Sequence, residues 1–522
     1  MIFHPKPETM KHANRFLITA MALLASAPLH AQDQSGADPR PNILWIVAED
    51  MSCHFGYQGE KRDRTPHVDR LAREGAVFEN AYVTAPVCSA SRSAMITGMY
   101  QTSIGAQHHR SSRGTHKIHL PAGVRTIPEI FKEAGYYTCN LGFGADLPND
   151  FTRPGKEDYN FVYKSRALYD GPDWSGRAAG QPFFAQVQLR GGKLRNVEKW
   201  QQEMMSGLDR SVTPEEVTLP PYYPRDAAFR EDWAAYLNTV QYTDKEVGLV
   251  LARLERENLL DQTIIVFLTD HGISQARGKQ FLYDEGTRIP FIVRAPGRVA
   301  PGTRRGDLIA HIDMAATSLA WAGIAVPDPM QGRDLFAGDF EPRNFVVTAR
   351  DRCDETEDRI RSLREGNFKY IRNAHPLRPY LQPSAYKDGK PWMQPLRDLH
   401  KAGKLDAVQS LILADQRPEE ELYNLSADPF EVRNLAGHPD QRERLAHFRQ
   451  LLEAWEKGTG DMGREQEPEA AYDGEMAVYL KAVRRNNPIE ATMIQSNISL
   501  MKEWRSARRN GNSWAGTPIR PR

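Results

Sequence analysis

Two short, continuously apolar runs, each ending in acidic or imidazole side chains, constrain this chain most. Residues 42–48 read Asn-Ile-Leu-Trp-Ile-Val-Ala and run into Glu49-Asp50; residues 263–269 read Thr-Ile-Ile-Val-Phe-Leu-Thr and run into Asp270-His271-Gly272. A strand without polar alternation has no face to give to water, so both runs predict strands buried on both sides of a parallel sheet. Open α/β sheets bind ligands beyond the carboxyl ends of their strands. Glu49, Asp50, Asp270 and His271 can therefore meet on one edge. Carboxylates there suit a hard cation such as Ca²⁺ or Mg²⁺, and His271 adds a softer donor that leaves the choice of metal open. Acidic residues also follow strands as simple helix caps, and these four residues alone do not decide between the two readings.

Helical signals lie between the runs. Thr65-Pro66-His67 opens one helix that ends at Gly75, and Leu237, Val240, Val247, Val250, Leu251 and Leu254 recur on a helical period within residues 232–258. Alternating strands and helices predict an α/β fold, a large mixed or parallel sheet sandwiched by helices, over residues 40–340. The pattern then changes. Residues 345–348 and 368–371 read as short strands and 440–455 as an amphipathic helix, which predicts a smaller α+β subdomain over 341–460. Residues 461–522 are polar, with periodicity only over 475–483, and read as a basic C-terminal appendage. From Lys481 onward nine Lys and Arg residues face only Glu490 and Glu503. Such a tail either attracts a polyanion or is simply solvated.

The formal net charge of +1 over 522 residues points to no nucleic-acid partner. Lys11 and Arg15 precede the apolar run 16–27, and Ala31 offers a small residue for cleavage. Residues 1–31 therefore read as an export signal, too short to serve as a stable membrane anchor, and the chain is expected to be secreted or periplasmic. The four cysteines, Cys53, Cys88, Cys139 and Cys353, allow up to two disulfides in an oxidising compartment, and no pair has zinc-site spacing. The number of subunits is not encoded in any motif.

One stretch carries more information than the rest. Residues 88–98, Cys-Ser-Ala-Ser-Arg-Ser-Ala-Met-Ile-Thr-Gly, resemble the signature of the formylglycine-dependent sulfatases: Cys, any residue, Pro or Ala, Ser, Arg, then Thr-Gly. Ala90 stands where Pro is more usual. The resemblance extends from about Pro41 to Asp461. Glu49-Asp50 and Asp270-His271-Gly272 look like the paired metal motifs, with Lys279 after the second. Thr65 to Ala72, Asp313 to Thr317, and Glu421 to Leu425 followed by Asp428-Pro429 continue the pattern. In look the chain is nearest to bacterial polysaccharide sulfatases and heparan N-sulfatase-like enzymes.

The resemblance implies an alkaline phosphatase-like fold and a specific chemistry. A maturation enzyme oxidises Cys88 to formylglycine, whose hydrate offers one hydroxyl to attack sulfur and a second to expel the sulfate. One divalent cation held by Glu49, Asp50, Asp270, His271 and residue 88 stabilises the sulfuryl oxygens, as do cationic side chains. Arg92, one turn beyond Cys88, holds the diol and the metal-site carboxylates. Lys279 is the implied sulfate-binding lysine, and Lys156 matches an earlier Gly-Lys element. Asp158 stands where that element usually has His. Lys193, in Arg190-Gly191-Gly192-Lys193, replaces another usual His, and either donates a proton to the leaving group or binds sulfate. His108 and His109 are further pocket candidates. Residues 350–355, Arg-Asp-Arg-Cys-Asp-Glu, resemble a pocket segment of the family and equally fit a salt-bridged domain junction. Tyr169, Trp174 and Trp200 are either sugar-stacking residues or core.

The implied substrate is a sulfated carbohydrate carrying an ester or sulfamate. Three alternatives remain: a sulfatase on small aryl or alkyl sulfates, a phosphoesterase of the same superfold, and a non-catalytic protein that binds sulfated glycans.

Overall fold

The structure is a computed structural model and describes residues 40–62, 64–142 and 153–509, with side chains to residue 506. The export signal read over residues 1–31 lies outside the described residues. Among them, no helix is long and apolar enough to cross a membrane.

Eight strands form the main sheet: β1 Asn42–Ala48, β2 Ala76–Tyr82, β3 Tyr137–Gly142, β4 Arg153–Pro154, β5 Phe183–Leu189, β6 Thr263–Thr269, β7 Phe291–Arg294 and β8 Thr303–Ala310. Their order is β4-β3-β5-β1-β6-β7-β2-β8. The centre, β3-β5-β1-β6, is parallel; β7 runs antiparallel to both β6 and β2, and β4 antiparallel to β3. The two apolar runs are thus neighbours, in a register that sets Ala48 beside Thr269. Alternate side chains of β1 and β6 enter two different cores. Leu44, Ile46, Ile265 and Phe267 pack on one face, and Ile43, Trp45, Val47, Val266 and Leu268 on the other. This division is why neither strand carries a polar face.

Helix α1 (Pro66–Glu74) and helix α2 (Cys88–Thr97) connect the first strands, and helix α3 spans Ala227–Arg256. Helix α3 begins five residues before the start read from periodicity. Asp226 caps it by accepting a bond from the Ala228 amide, a signal the hydrophobic period does not carry.

A second, antiparallel sheet has the order β12-β11-β10-β9, built from β9 Phe345–Arg350, β10 Ile360–Glu365, β11 Phe368–Asn373 and β12 Glu420–Asn424. It packs on helix α4 (Arg442–Thr459) through Leu363, Tyr370, Leu422, Phe448 and Leu452.

Beyond residue 460 the chain is more than an appendage. Helices α5 (Glu469–Asn486) and α6 (Pro488–Arg509) pack on each other through Tyr472, Met476, Ile494, Ile498, Met501 and Trp504. Arg505, read above as part of a basic tail, is 2% exposed. It donates to Glu357 Oε2 at 2.9 Å and approaches Glu467 Oε2 at 3.8 Å. All four cysteines are free thiols, so neither of the two disulfides allowed by their number forms. Trp174 is fully buried in the core, and Tyr169 is buried against Tyr159 and Gln186, so neither faces a sugar.

Removing one partner from a buried ion pair strands the other charge, at a cost of about 3–5 kcal/mol. Arg505→Ala is therefore expected to lower stability by about that amount in urea titration, because Glu357 and Glu467 remain buried. An unchanged midpoint would show that the hairpin is not clamped by this pair.

Candidate active site

The β1–β6 register puts two chain segments together at the carboxyl edge of the sheet. The Asp50 amide donates to Asp270 Oδ1 at 3.1 Å, and the Met51 amide to the His271 carbonyl at 3.1 Å. Helix α2 points its first turn at this edge. Cys88 is its first residue, and no side chain caps its free amides, so the helix end favours an anion there. Ligand atoms of Asp50, Cys88, Asp270 and His271, all buried, lie within 4.8 Å of one another. Cys88 Sγ is 3.2 Å from His271 Nε2 and 4.0 Å from Asp50 Oδ1.

Four cationic side chains face three buried carboxylates. Arg92, fully buried, donates from Nε to Asp270 Oδ2 at 3.2 Å and from Nη1 to Gln188 at 2.7 Å. Its Nη2 is 3.6 Å from Glu49 Oε1 and has no hydrogen-bond partner. Lys156 Nζ donates to Glu49 Oε2 at 2.9 Å, and Lys193 meets the same oxygen. Lys279 Nζ lies 3.2 Å from Asp50 Oδ1 and 3.2 Å from Cys88 Sγ, whereas Lys193 is 3.9 Å from that sulfur. The residues read from the sequence as the metal and sulfate set, Glu49, Asp50, Cys88, Arg92, Lys156, Lys193, Asp270, His271 and Lys279, fall in this one cluster.

Electrostatics follow from the arrangement. Burial alone raises Glu49, but Lys156, Lys193 and Arg92 outweigh it and hold its carboxyl well below the usual range. Burial opposes ionisation of Asp50 and Cys88 too. Lys279 and Lys193 overcome it for Asp50, and Lys156, Lys193 and Lys279 for the thiol, so both are lowered. Burial disfavours the charged form of Lys193, yet Cys88, Glu49 and Asp50 hold its ammonium well above the normal range. His271 is raised because Asp270 and Cys88 outweigh its burial. The centre is built for anions at residue 88 and beside it.

Backbone strain gathers here. Of the seven described non-glycine residues with positive φ, five belong to this region: Asp50, Arg110, Asp158, Gln280 and Asp354. Asp158, in place of the usual His, receives a bidentate bond from Arg110 at 2.7 and 2.9 Å. His109 Nδ1 is 2.9 Å from Asp354 Oδ1, and His108 Nδ1 accepts from the Arg352 amide at 3.3 Å, so both histidines are buried in the rim and not displayed to solvent. In residues 350–355 both sequence readings hold in part. Arg350 pairs with Asp358, Asp351 with Arg361, and Arg352 with Glu467, as a junction would, while Asp354 turns to His109. Trp200 is only partly buried, under Arg190.

Sequence reasoning missed Arg110 and Tyr386. Tyr386 Oη contacts Ser274 at 2.8 Å and Asp50 Oδ2 at 3.4 Å, and its ring lies 5.0 Å from Lys279 Nζ. Burial pushes its hydroxyl up to about 12. Arg110 directly follows the two flagged histidines, so its signal was adjacency; Tyr386 lies in a one-turn helix, Ala385–Asp388, without any motif.

The donors suit a hard divalent cation. Two carboxylates and an imidazole converge with residue 88, and Glu49 adjoins them through Arg92. Such a cation would take over part of the neutralisation now given by the lysines.

Comparison with known proteins gives likenesses in sequence and in fold. The sulfatase family model matches residues 41–324. An ulvan-active sulfatase of Formosa agariphila is 35% identical over 81% of this chain and 76% of its own. Human N-sulphoglucosamine sulphohydrolase is 27% identical over 81% of this chain and 91% of its own. Among solved structures, a 2-O GAG sulfatase superposes with a TM-score of 0.59 at 22% identity, covering 83% of this chain and 96% of that one. A phosphonate monoester hydrolase from Silicibacter pomeroyi gives 0.57 at 17% identity, covering 81% and 96%. The two structural likenesses show a shared fold.

The Gly191-Gly192 pair lets the Lys193 loop close on β1. Gly191 has φ +52°, and a Cβ there would lie 2.3 Å from the Glu49 carbonyl oxygen. Gly180 has φ +73° with nothing near such a Cβ. Gly191→Ala is expected to cost about 1–3 kcal/mol more than Gly180→Ala in urea unfolding, since overpacking adds to backbone strain. Equal costs would mean that the loop closes without this contact.

Proposed function

The chain belongs to the sulfatase family and is a sulfuric ester hydrolase; on that premise we propose that it releases sulfate from a sulfated carbohydrate, using formylglycine made from Cys88 and one divalent cation. The observation that carries the reading is the placement of Cys88 at an uncapped helix end, between two strand-end carboxylates and three lysines. Support for a carbohydrate comes from the 35% identical ulvan-active sulfatase and the human N-sulphoglucosamine sulphohydrolase.

Oxidised by a maturation enzyme, residue 88 supplies a hydrated aldehyde as the nucleophile, and a cation held by Asp50, Asp270, His271 and Glu49, Ca²⁺ in our reading, supplies neutralisation of sulfuryl charge. The remaining work belongs to side chains of this protein. Arg92 fixes Asp270 and Gln188 and keeps one N–H unpartnered toward the Glu49 side. Lys279 and Lys193, both beside residue 88, bind sulfuryl oxygens as charge develops on them. Lys193, 3.9 Å from the Cys88 sulfur, serves as a sulfate ligand in our reading. Lys156 and Lys193 are partly exposed and form the mouth of the site. The N-terminal apolar segment supports export, so we place the protein in the periplasm or outside the cell.

The test is sulfate release from defined sulfated oligosaccharides by protein co-expressed with a maturation enzyme. The peptide containing Cys88 is expected to lose about 18 Da on conversion to the aldehyde. Cys88→Ala should lower the rate by at least about a thousandfold, the scale of losing a nucleophile. Chelation should abolish turnover and Ca²⁺ restore it. Turnover of an aryl phosphate but of no sulfate ester by the matured enzyme would overturn the assignment.

A further inference from the structure

The C-terminal hairpin adjoins the rim of the site. On its inner side, Tyr472 Oη donates to the Glu355 carbonyl at 2.9 Å, and Asn497 Nδ2 to Glu355 Oε1 at 2.9 Å. Arg113, from the chain segment that also carries His109 and Arg110, donates to Glu475 Oε1 at 3.1 Å. Glu355 directly follows Asp354, the partner of His109. Tyr479, one turn beyond Glu475, is raised by burial and by the nearby charges of Asp354 and Glu355. Helix α5 therefore runs outward from the rim of the sulfate site.

The outer stretch of this helix has a different character. Lys481, Arg484 and Arg485 are exposed and lie at i, i+3 and i+4, so their heads share one helix face. With Ala477, Leu480 and, from helix α6, Gln495, they line a cavity of about 440 Å³. Arg92, Arg110, Arg113, Arg350, Arg352, Arg361 and Arg505 all have carboxylate partners. Among the described residues no carboxylate pairs with Lys481, Arg484 or Arg485. Three like charges on one face repel, and a bound polyanion is what relieves them. The distance from Tyr479 to Arg485 is about 9 Å along the helix, at 1.5 Å per residue.

We propose that this groove is an accessory subsite for the anionic glycan chain beyond the sugar that loses its sulfate. The three cations meet sulfate or carboxylate groups, and Leu480 and Ala477 offer an apolar floor to a sugar ring. The inference rests on the sulfatase reading for its ligand, and on the hairpin's own charges for its location.

The test variant is Lys481→Gln/Arg484→Gln/Arg485→Gln, three exposed positions outside the catalytic cluster. Binding is read by electrophoresis through gels containing heparin or chemically desulfated heparin; catalysis is read on a sulfated polysaccharide and on p-nitrophenyl sulfate. Wild-type protein should be retarded by heparin only, and the variant should lose that retardation. On the polymer the variant's KM should rise about tenfold with kcat unchanged, with a weaker dependence on salt, because fewer counterions are released. Rates on p-nitrophenyl sulfate should match wild type. Retardation and polymer KM equal to wild type would overturn the groove while leaving the sulfatase reading intact. Charge-dependent retardation by a wild-type protein that releases sulfate from nothing would support the groove and overturn the sulfatase reading.

Discussion

Three carboxylates buried at one edge of a sheet, Glu49, Asp50 and Asp270, are tolerated only because cationic groups face them directly. An isolated buried carboxylate would take up a proton to escape its desolvation penalty. Here Arg92, Lys156, Lys193 and Lys279 hold the three ionised, and the requirement propagates outward. Arg92 must come from a helix starting at Cys88. Lys193 must come from a loop closed by two glycines. Lys279 must be carried by a turn whose amide bonds to the Ile273 carbonyl at 2.7 Å. The fold around the centre is largely a means of bringing these cations within reach.

Those parts of the site that were legible in the sequence share a property: their chemistry is local, or is set by neighbouring strands. Cys88 and Arg92 lie one turn apart on a single helix. Glu49-Asp50 and Asp270-His271 lie at the ends of two apolar runs, and such runs pair in the middle of a parallel sheet. Arg110 and Tyr386 are different, and so is the pairing of Asp354, which was legible only as part of the 350–355 segment. Arg110 meets Asp158 across 48 residues, and His109 meets Asp354 across 245. These contacts depend on loops with positive φ, and no periodicity reports where such loops travel. The two disulfides that four cysteines allow do not form, and Cys88, Cys139 and Cys353 stay as buried free thiols.

The C-terminal hairpin was misjudged for a related reason. Hydrophobic periodicity finds a helix by its apolar face. Part of the buried face of this hairpin is made of charged and polar side chains, with Glu475 held by Arg113, Arg505 by Glu357, and Asn497 by Glu355. Pairing lets charge stand in for hydrophobicity at a packed interface, and the pattern in the sequence then reads as solvated. Strand β10, Ile-Arg-Ser-Leu-Arg-Glu, hid in the same way, since Arg361 is buried between Asp351 and Asp461.

A net charge of +1 conceals this organisation, because most of the charge is spent internally on paired groups. What can act on a charged ligand is the unpaired remainder, and its field is short-ranged: screening limits it to about 8–10 Å at physiological salt. A polyanion is thus sensed only where cations are both unpaired and close to its path. Outside the sulfate site, whose cations already face Glu49, Asp50 and Asp270, the outer face of helix α5 meets that condition among the described residues, and the hairpin's buried ion pairs fasten it to the rim of the site. The same paired charges that made the tail unreadable as structure give its unpaired cations a defined place on a hairpin fastened to the rim of the site.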